Sequence, residues 1–318
     1  ASSLYKRNEW VPGVFGEYTY KGSEKFSVLL GSRADYHNNF GLFFTPRLNI
    51  KYTPNQKTVF RMSGGRGQKT ASIFAENIGI LASNRQIIIE GDSNSNTPYG
   101  LKAEVAWNFG ISLTREFDLG GKNLALSADY NRVDFANQIV VDFDRTARQV
   151  VFYNLRGKSF SNSFQFQADI SPMSWMDLRL AYRYNDVRTT YGEDLLRKPL
   201  VSPDRVFANI ALHPGKGWTL DYTINWLGSV RLPSTADNDE AHRWPDKSPS
   251  YFLSNAQVSK SWKNNFEFYL GGENIANYRL KHPIIGAHAP FGEYFDSSLT
   301  WGPVMGINLY AGVRYAIR

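Results

Sequence analysis

The chain has 318 residues, carries a formal net charge of +7 and has a mean hydropathy of −0.40, although 15% of its residues are aromatic. This aromatic content excludes a disordered chain, and the absence of cysteine excludes disulfide scaffolds, thiolate metal sites and cysteine nucleophiles. No stretch approaches about 18 uncharged apolar residues, so a helical membrane protein is excluded as well. From residue 11 onward, apolar and polar residues alternate along the chain, and this period of two predicts β-strands.

The segment 101–113 shows the period most clearly. Its even positions are mainly polar or small, and its odd positions are the apolar residues Leu101, Ala103, Val105, Trp107, Phe109, Ile111 and Leu113. This pattern predicts a strand with one apolar face, longer than the usual strand of about 5–6 residues. Repeats of the pattern predict about thirteen strands in all. They lie near residues 11–21, 25–37, 42–53, 58–68, 100–117, 122–142, 149–170, 176–188, 204–213, 218–230, 251–261, 265–275 and 307–317.

The connections between these strands alternate in length. Short turns lie near residues 22–24, 54–56, 120–122, 171–174, 215–217 and 263–265. The longer connections are residues 70–99, 189–204, 232–250 and 277–306, whereas those near 37–41 and 144–149 are short. Outer-membrane barrels have short periplasmic turns, longer extracellular loops and strands that are apolar outside and polar inside. The sequence therefore predicts an all-β fold, a transmembrane antiparallel β-barrel, because the strands of a soluble sandwich are shorter.

Motifs near the end of the chain resemble one family of such barrels. Residues 271–278, Gly-Gly-Glu-Asn-Ile-Ala-Asn-Tyr, resemble the G-x-E-N-[LI]-x-[ND]-[YK] segment of TonB-dependent outer-membrane receptors. Residues 301–306 and the final stretch 309–318 resemble the end of the family's barrel, whose last strand serves as an assembly signal. Upstream, residues 45–48 and 62–67 resemble a strand pair of the same family. The residues in these motifs are similar to those of receptors from Bacteroidetes-type bacteria.

The resemblance implies what the rest of such a receptor contains. Barrels of this class have about 22 strands around a plugged lumen. Nothing in residues 1–318 resembles the N-terminal plug domain of the family. We therefore expect the whole chain to be the C-terminal part of the barrel, about thirteen strands of it. The plug and the first strands are expected on an N-terminal fragment of the same receptor, which pairs with this chain.

The function implied by the resemblance is active import across the bacterial outer membrane. A scarce nutrient, most simply a metal chelate of the siderophore or cobalamin type, binds at the extracellular mouth. The TonB energy-transducing complex then acts through the plug to release it inward. Alternatives are a passive porin-like, structural or adhesive barrel, and a glycan or peptide importer with a surface lipoprotein partner. Outer-membrane lipid surrounds the barrel in every case.

No enzyme motif is present, so the sequence predicts a protein that is not an enzyme and holds no cofactor or resident metal. It contains no Gly-x-Ser-x-Gly elbow, His-Glu-x-x-His motif or phosphate-binding loop. The carboxylate pairs Asp142/Asp144 and Glu193/Asp194 lie in predicted loops and are interpreted as solvated acidic turns. The basic residues are scattered, which argues against nucleic acid as a partner.

Candidate ligand-binding residues lie near the predicted outer rim. Three histidines fall in the two long late loops, where they either meet an entering metal chelate or are solvated, since their spacing matches no metal-ligand template: His242, His282 and His288. Polar residues expected to face inward flank the first long loop or lie in the last one: Arg66, Gln68, Lys102, Glu104, Tyr294 and Asp296. These six either contact a bulky anionic chelate or fill the lumen against the plug.

Overall fold

The computed structural model describes residues 7–70, 72–262 and 265–317. In chain order the strands are β1 (Gly13–Ser23), β2 (Phe26–His37), β3 (Gly41–Phe44), β4 (Arg47–Asn55), β5 (Thr58–Lys69), β6 (Gln86–Glu90), β7 (Glu104–Asp118), β8 (Asn123–Asn137), β9 (Ile139–Asp142), β10 (Gln149–Asn154), β11 (Ser159–Met173), β12 (Met176–Tyr191), β13 (Asp194–Arg197), β14 (Asp204–Gly215), β15 (Trp218–Leu227), β16 (Tyr251–Trp262), β17 (Phe266–Glu273) and β18 (Asn308–Tyr315). The helical segments are α1 (Ile73–Glu76) and the 3₁₀ turns Ile78–Ala82, Pro98–Gly100 and Glu240–His242. Within the described ranges, none of these helices has the length and apolar character needed to cross a membrane.

One antiparallel sheet of 15 strands makes up most of the molecule. β3 and β13 are side branches on β2 and β12, and the remaining thirteen strands follow one another in the order β1-β2-β4-β5-β7-β8-β11-β12-β14-β15-β16-β17-β18. Each of these thirteen corresponds to one predicted strand, so the all-β antiparallel prediction is confirmed. The predicted turn at Lys263 and Asn264 lies outside the described residues.

The pairing register separates the side chains of this sheet into an apolar face and a polar face. Leu180 of β12 pairs with Ala168 and Ala208, whereas its neighbour Arg179 pairs with Asp169 and Asn209 on the other face. Large apolar side chains on the first face remain exposed, among them Tyr18, Leu30, Met62, Trp107, Ile111, Leu180, Tyr222 and Leu270. Exposed apolar patches of this extent are unfavourable in water and suit a lipid bilayer. The apolar face is therefore the outer, lipid-facing surface, and the polar face lines the interior.

Two predicted strands are interrupted, and their outer parts leave the main sheet. The predicted strand 122–142 divides into β8 and β9, and the predicted strand 149–170 divides into β10 and β11. β9 and β10 join β6 in a separate three-stranded sheet with the order β6-β10-β9. Gly157 lies in the second interruption with a φ of +133°, a conformation that residues with a side chain rarely adopt. We call β6, β9, β10 and α1 the rim module.

The rim module has its own hydrophobic core. Val150, Val151 and Phe152 of β10 are all 0% exposed. Val150 and Phe152 pack in a cluster with Ile73, Ile80 and Leu101 on one side, while Val151 packs with Val140, Tyr153 and Tyr191 on the other. A strand that is buried on both faces has a continuous apolar sequence rather than an alternating one. This explains why the apolar residues of β10 could be read as part of one long barrel strand.

The two ends of the main sheet each have one unpaired edge in the part of the chain that the structure describes. β1 pairs only with β2, and β18 pairs only with β17. All eleven residues of β1 are exposed, in contrast to the half-buried strands in the middle of the sheet. The outer N–H and C=O groups of these two strands have no partner strand, and hydrocarbon cannot hydrogen-bond them. For this reason we expect the first and last strands to pair with further strands.

The assignment of the two faces predicts unequal effects for the same substitution. Leu180→Arg places a charge on the apolar face and is expected to cost about 2–4 kcal/mol near the bilayer midplane. Gln167→Arg is the matched control, because Gln167 pairs with Ala181 on the polar face at nearly the same depth. The yield of membrane-inserted protein with heat-dependent gel mobility measures assembly. Equal loss for both variants would contradict the face assignment.

Candidate functional site

A buried ion pair joins the first and last long loops at the rim. Arg85, just before β6, donates from Nε to Oδ2 of Asp296 at 2.6 Å, and the two residues are 7% and 4% exposed. The Nη1 atom of Arg85 donates to three carbonyl oxygens, those of Phe143 (3.4 Å) and Thr146 (3.3 Å) in the connection between β9 and β10 and that of Gln149 (2.9 Å) at the start of β10. One guanidinium group therefore fixes three separate connections against each other.

Asp296 is thus engaged on both carboxylate oxygens. Its Oδ1 accepts hydrogen bonds from the backbone N (2.8 Å) and the Oγ (2.6 Å) of Ser298. Its backbone exchanges two hydrogen bonds of 3.0 Å with Ile285 within the same loop. The geometry gives Asp296, one of the candidate ligand-binding residues, the role of holding the loops in place. Sequence analysis did not identify Arg85, because no local pattern marks a partner that lies 211 residues away.

A second ion pair ties the loop after β15 to the same connection. Arg231 binds Asp144 through two parallel bonds, Nη1 to Oδ1 at 2.9 Å and Nη2 to Oδ2 at 2.8 Å. Asp142 is buried and accepts a hydrogen bond of 3.0 Å from the Tyr153 hydroxyl, and burial raises the pKa of Tyr153 to about 12. The expectation that Asp142 and Asp144 form a solvated acidic turn is therefore wrong.

The other predicted carboxylate pair is as expected. Glu193 in the tight turn between β12 and β13 and Asp194 at the start of β13 are both exposed. In the described ranges, no group of three or more His, Asp or Glu side chains is arranged to hold a metal ion. The carboxylates at this rim therefore do not form a metal-binding group within the described ranges.

Arg66 and Gln68 were expected to face inward, and the register contradicts this. Arg66 pairs with Trp107 and Gln68 with Val105, so both lie on the apolar face of β5. Paired residues in an antiparallel sheet project to the same side, and pairing rather than residue type decides the face. The Nη1 of Arg66 donates to the Phe44 carbonyl at 2.6 Å and to the Gln68 Oε1 at 2.7 Å. Both side chains therefore support the β3 branch at the outer end of the sheet.

Glu104 and Lys102 differ in whether their charged groups form hydrogen bonds. Glu104 pairs with Lys69 on the polar face, as expected, and its Oε1 accepts a bond of 3.0 Å from the Ile139 backbone N. Lys102 exchanges backbone hydrogen bonds with the amide of Asn154, at 2.9 and 3.1 Å, and is exposed. Glu104 thus helps to hold β9, whereas the ammonium group of Lys102 has no hydrogen-bond partner in the part of the chain that the structure describes.

Three of the candidate residues meet in one cluster. The rings of His242 and Tyr294 stack with centroids 4.4 Å apart and 8° between their planes, and the His288 ring lies 5.5 Å from that of His242. The guanidinium carbon of Arg148 lies 4.7 Å from the centre of the Tyr294 ring. We call these four residues the histidine–tyrosine cluster. It offers stacked rings and hydrogen-bond donors from three different loops, which suits an anionic ligand with flat groups.

Arg148 and His242 each have an acidic neighbour in this cluster. Arg148 forms an ion pair with Glu293, in which both side chains are exposed, and Nδ1 of His242 is hydrogen-bonded to Asp239. The Arg148–Glu293 pair is exposed and contributes at most about 1 kcal/mol, whereas the His242 side chain is half-buried beside an exposed Asp239. Arg148 is therefore held in the cluster far more weakly than Arg85 is held by Asp296.

His282 lies apart from the cluster, in a cavity of about 510 Å³ between the loop after β15 and the loop after β17. The cavity is also lined by Arg243, Arg279 and Lys281, and by the aromatic residues Trp244, Tyr278 and Trp301. None of its lining side chains is a carboxylate. We call it the basic cavity. Apart from His282, sequence analysis missed these residues, although Arg279, Lys281 and His282 lie within four consecutive positions.

The motif at residues 271–278 explains how one wall of this cavity is positioned. Asn274 has a φ of +49° and is buried. Its side-chain Nδ2 donates to the carbonyl oxygens of Tyr278 (2.8 Å) and Met305 (3.2 Å), and its Oδ1 accepts from the Tyr278 backbone N at 3.0 Å. The Tyr278 ring then stacks on Tyr251 of β16 at 4.8 Å with 3° between the planes. The motif is therefore a turn that fixes the start of the last loop.

Comparison with known proteins gives a family and a fold. Residues 1–275 match the family model described as "TonB dependent receptor-like, beta-barrel". No curated protein matches the sequence. A variant of the ferric enterobactin receptor of Pseudomonas aeruginosa, solved with enterobactin, is similar in structure with a TM-score of 0.70 and 14% identity, over 96% of this chain and 45% of that one.

Two further solved structures are similar over the same extent. The siderophore receptor PirA of Acinetobacter baumannii has a TM-score of 0.64 at 14% identity, over 96% of this chain and 46% of that one. The Ferric-Catecholate import receptor Fiu of E. coli K12 has a TM-score of 0.65 at 12% identity, over 97% of this chain and 45% of that one. The chain thus spans less than half the length of these solved relatives.

The buried pair at the rim predicts a loop-specific loss of stability. Arg85→Met leaves the Asp296 carboxylate buried without its partner, which is expected to cost about 3–5 kcal/mol. Hydrogen exchange of residues 72–99 and 277–306 in the purified protein measures the loss, and Arg85→Met/Asp296→Leu is expected to recover much of it. Arg148→Met removes an exposed pair and is the control, with at most about 1 kcal/mol. Equal effects of Arg85→Met and Arg148→Met would contradict the structural role of Arg85.

Proposed function

Because this chain belongs to the TonB-dependent receptor family, through its β-barrel, we propose that it takes part in active import of a scarce nutrient across the outer membrane. The nutrient that we favour is a metal chelate of the siderophore type. The solved structures of similar fold are a ferric enterobactin receptor, a siderophore receptor and a Ferric-Catecholate import receptor, and they support this choice. Members of the family are outer-membrane proteins, in agreement with the exposed apolar face of the sheet.

The observation that carries the proposal is the arrangement of the rim. The loops at the outer ends of the strands form a packed layer with its own hydrophobic core. Arg85 fixes this layer above the lipid-facing part of the sheet. On this fixed layer, exposed loops present the histidine–tyrosine cluster. A rigid support lowers the entropy that a receptor loses when it binds its ligand. Selective capture at the mouth is the task for which such a rim is suited.

The candidate residues divide into two roles in this proposal. His242, His288 and Tyr294 contact the chelate together with Arg148, while His282 and Lys102 offer further donors to it. Arg66, Gln68, Glu104 and Asp296 hold the loops that present these groups, since each is hydrogen-bonded to the backbone or to a partner within the rim. The chain does no covalent chemistry in this mechanism. It binds, orients and admits the ligand.

Energy for release comes from partners outside this chain in our proposal. The TonB complex acts through a plug domain, which we place together with the first barrel strands in an N-terminal part of the same receptor. The single unpaired edges of β1 and β18 and the 45–46% coverage of the solved relatives support this arrangement. A passive porin or an adhesin is not favoured, because this chain belongs to a family of TonB-dependent receptors and neither of those proteins depends on TonB.

Uptake measurements test the import function. Cells that depend on this receptor are expected to accumulate iron from a siderophore-type chelate only while TonB and the proton gradient are intact. His242→Ala/Tyr294→Ala should weaken chelate binding roughly tenfold, for a loss of about 1.4 kcal/mol. Glu193→Gln, in an exposed turn away from the cluster, is the control. Uptake that persists without TonB would overturn active import in favour of a passive barrel.

The unpaired sheet edges predict the mass of the folded species. Each unsatisfied backbone group in hydrocarbon costs several kcal/mol, so β1 and β18 must pair with strands beyond those described. Native mass spectrometry of the membrane-extracted, unheated protein should therefore give a folded species heavier than the 36.1 kDa of this chain. A folded monomer of 36.1 kDa would show that this sheet closes on itself and would remove the need for an N-terminal part.

A further inference from the structure

Six polar residues form a patch on the lipid-facing side of the sheet, near its outer end. Asp186 and Arg188 lie an even number of positions after Leu180 along β12, so their side chains project to the same side as Leu180. The pairing register places the other four residues beside them on β8, β11 and β13. We call these residues the outer polar patch: Arg132, Asp134, Asn162, Asp186, Arg188 and Arg197.

The outer polar patch begins where the apolar band ends. On the lipid-facing side of β12, the alternate positions from Met176 to Tyr184 are all apolar or aromatic. At about 3.4 Å per residue and a tilt of about 40°, they span roughly 21 Å, close to the apolar band of about 25 Å in outer-membrane barrels. Tyr130, Phe164 and Tyr184 pair in one aromatic row directly below the patch, as at a membrane interface. The patch therefore lies at the level of the lipid headgroups of the outer leaflet.

One half of the patch is neutral within itself. Arg132 donates to both carboxylate oxygens of Asp134, from Nε at 2.8 Å and from Nη2 at 2.5 Å. Its Nη1 donates to Oδ1 of Asn162 at 2.9 Å, and its guanidinium carbon lies 4.7 Å from the centre of the Phe160 ring. All three guanidinium nitrogens of Arg132 therefore have protein partners, and this half gives the patch a fixed side.

The other half of the patch carries uncompensated positive charge. Arg188 and Arg197 are direct cross-strand partners, and like charges at such positions repel each other. They share one carboxylate, since Oδ1 of Asp186 lies 2.9 Å from Nε of Arg188 and 3.8 Å from Nη2 of Arg197. Among the described residues, both Nη atoms of Arg188 and the Nε and Nη1 atoms of Arg197 have no acceptor. Both arginine side chains are 39% exposed, so a ligand can reach these free N–H groups.

An exposed lysine adds to the positive charge. The backbone N of Thr190 donates to the Lys158 carbonyl at 2.9 Å, so Lys158 continues the strand pairing two positions before Phe160, on the same side of the sheet. Lys158 has no ion pair within the described ranges. The neighbouring acidic residue on this side, Asp204, accepts a hydrogen bond of 2.6 Å from the Tyr182 hydroxyl, in the aromatic region below the patch. The arginine pair and Lys158 together therefore leave an excess of positive charge at this place.

Charge and position together select a class of ligand. A phosphate group offers several acceptor oxygens to neighbouring guanidinium groups, and its negative charge removes the repulsion between two arginines. The exposed residues directly below, such as Leu180, are apolar and face hydrocarbon. A molecule that satisfies both regions carries a phosphate at its head and acyl chains beneath it. Such a molecule is a phosphorylated lipid of the outer leaflet.

We infer that the outer polar patch binds the phosphate group of an outer-leaflet glycolipid, and that Arg188 and Arg197 hold this phosphate between them. Lys158 supplies a further cation, while Arg132 is held by Asp134 and Asn162 and limits the site on its other side. The site lies on the outside of the barrel wall and is independent of the nutrient that the receptor carries.

The test compares two lipids on the full receptor purified from membranes. Lipid A and the same lipid A after enzymatic removal of its phosphate groups are titrated in detergent micelles, and native mass spectrometry measures the bound fraction. The phosphorylated lipid should bind about tenfold more tightly, and Arg188→Gln/Arg197→Gln should remove this difference. Arg183→Gln is the matched control, because Arg183 pairs with Gln165 on the polar, interior face of the same strand. This control should leave both affinities unchanged.

Several outcomes would overturn the inference. Equal affinity of the unaltered receptor for the two lipids would do so even if the double variant did not fold, and heat-dependent gel mobility reports whether it does. An unchanged preference in the folded double variant would also do so. Displacement of the lipid by inorganic phosphate at equal concentration would show a site for a free anion instead.

A protein partner at the same place is excluded by crosslinking. The chain has no native cysteine, so Asn162→Cys carries a photoactivatable group at the centre of the patch in intact membranes. Crosslinks to lipid are expected, whereas a crosslink to a second polypeptide would show that the patch is a protein interface.

Discussion

Backbone hydrogen bonding in hydrocarbon is the constraint on which this structure depends. Within a bilayer no water can satisfy N–H and C=O groups, so strands must pair along their whole length. The thirteen-strand path meets this requirement everywhere except at its two ends, and it fixes which side chains share a face. Only above the lipid, where water is present again, do the outer parts of the predicted strands leave the sheet. The rim module forms there, with packing typical of a water-soluble core.

The sequence predicted the barrel strands well because each strand has lipid on one face and a polar interior on the other. Leu180 faces the lipid and its neighbour Arg179 faces the polar interior, so adjacent residue types differ as the two environments do. The same rule failed at β10, since Val150 and Val151 are both buried and give no alternation. It also failed at Arg66, where a polar residue lies on the outer face near the end of β5. The side of the sheet is decided by pairing, which residue type alone does not reveal.

The candidate site was predictable in part. His242, His288 and Tyr294 were singled out by their positions in long loops, and the structure brings them together although they come from two loops. Asp296 was expected either to contact a ligand or to fill the lumen, and the structure shows that its carboxylate is paired with the buried Arg85. Arg85 and the basic cavity depend on contacts between residues that are distant in sequence. Sequence periodicity carries no information about such contacts.

The single guanidinium of Arg85 has a mechanical consequence. Because its hydrogen bonds reach the residues before β6, the connection between β9 and β10, and the last loop, none of these can shift without straining the others. Arg85 therefore couples these three segments, so that they behave as one body rather than as three independent hinges.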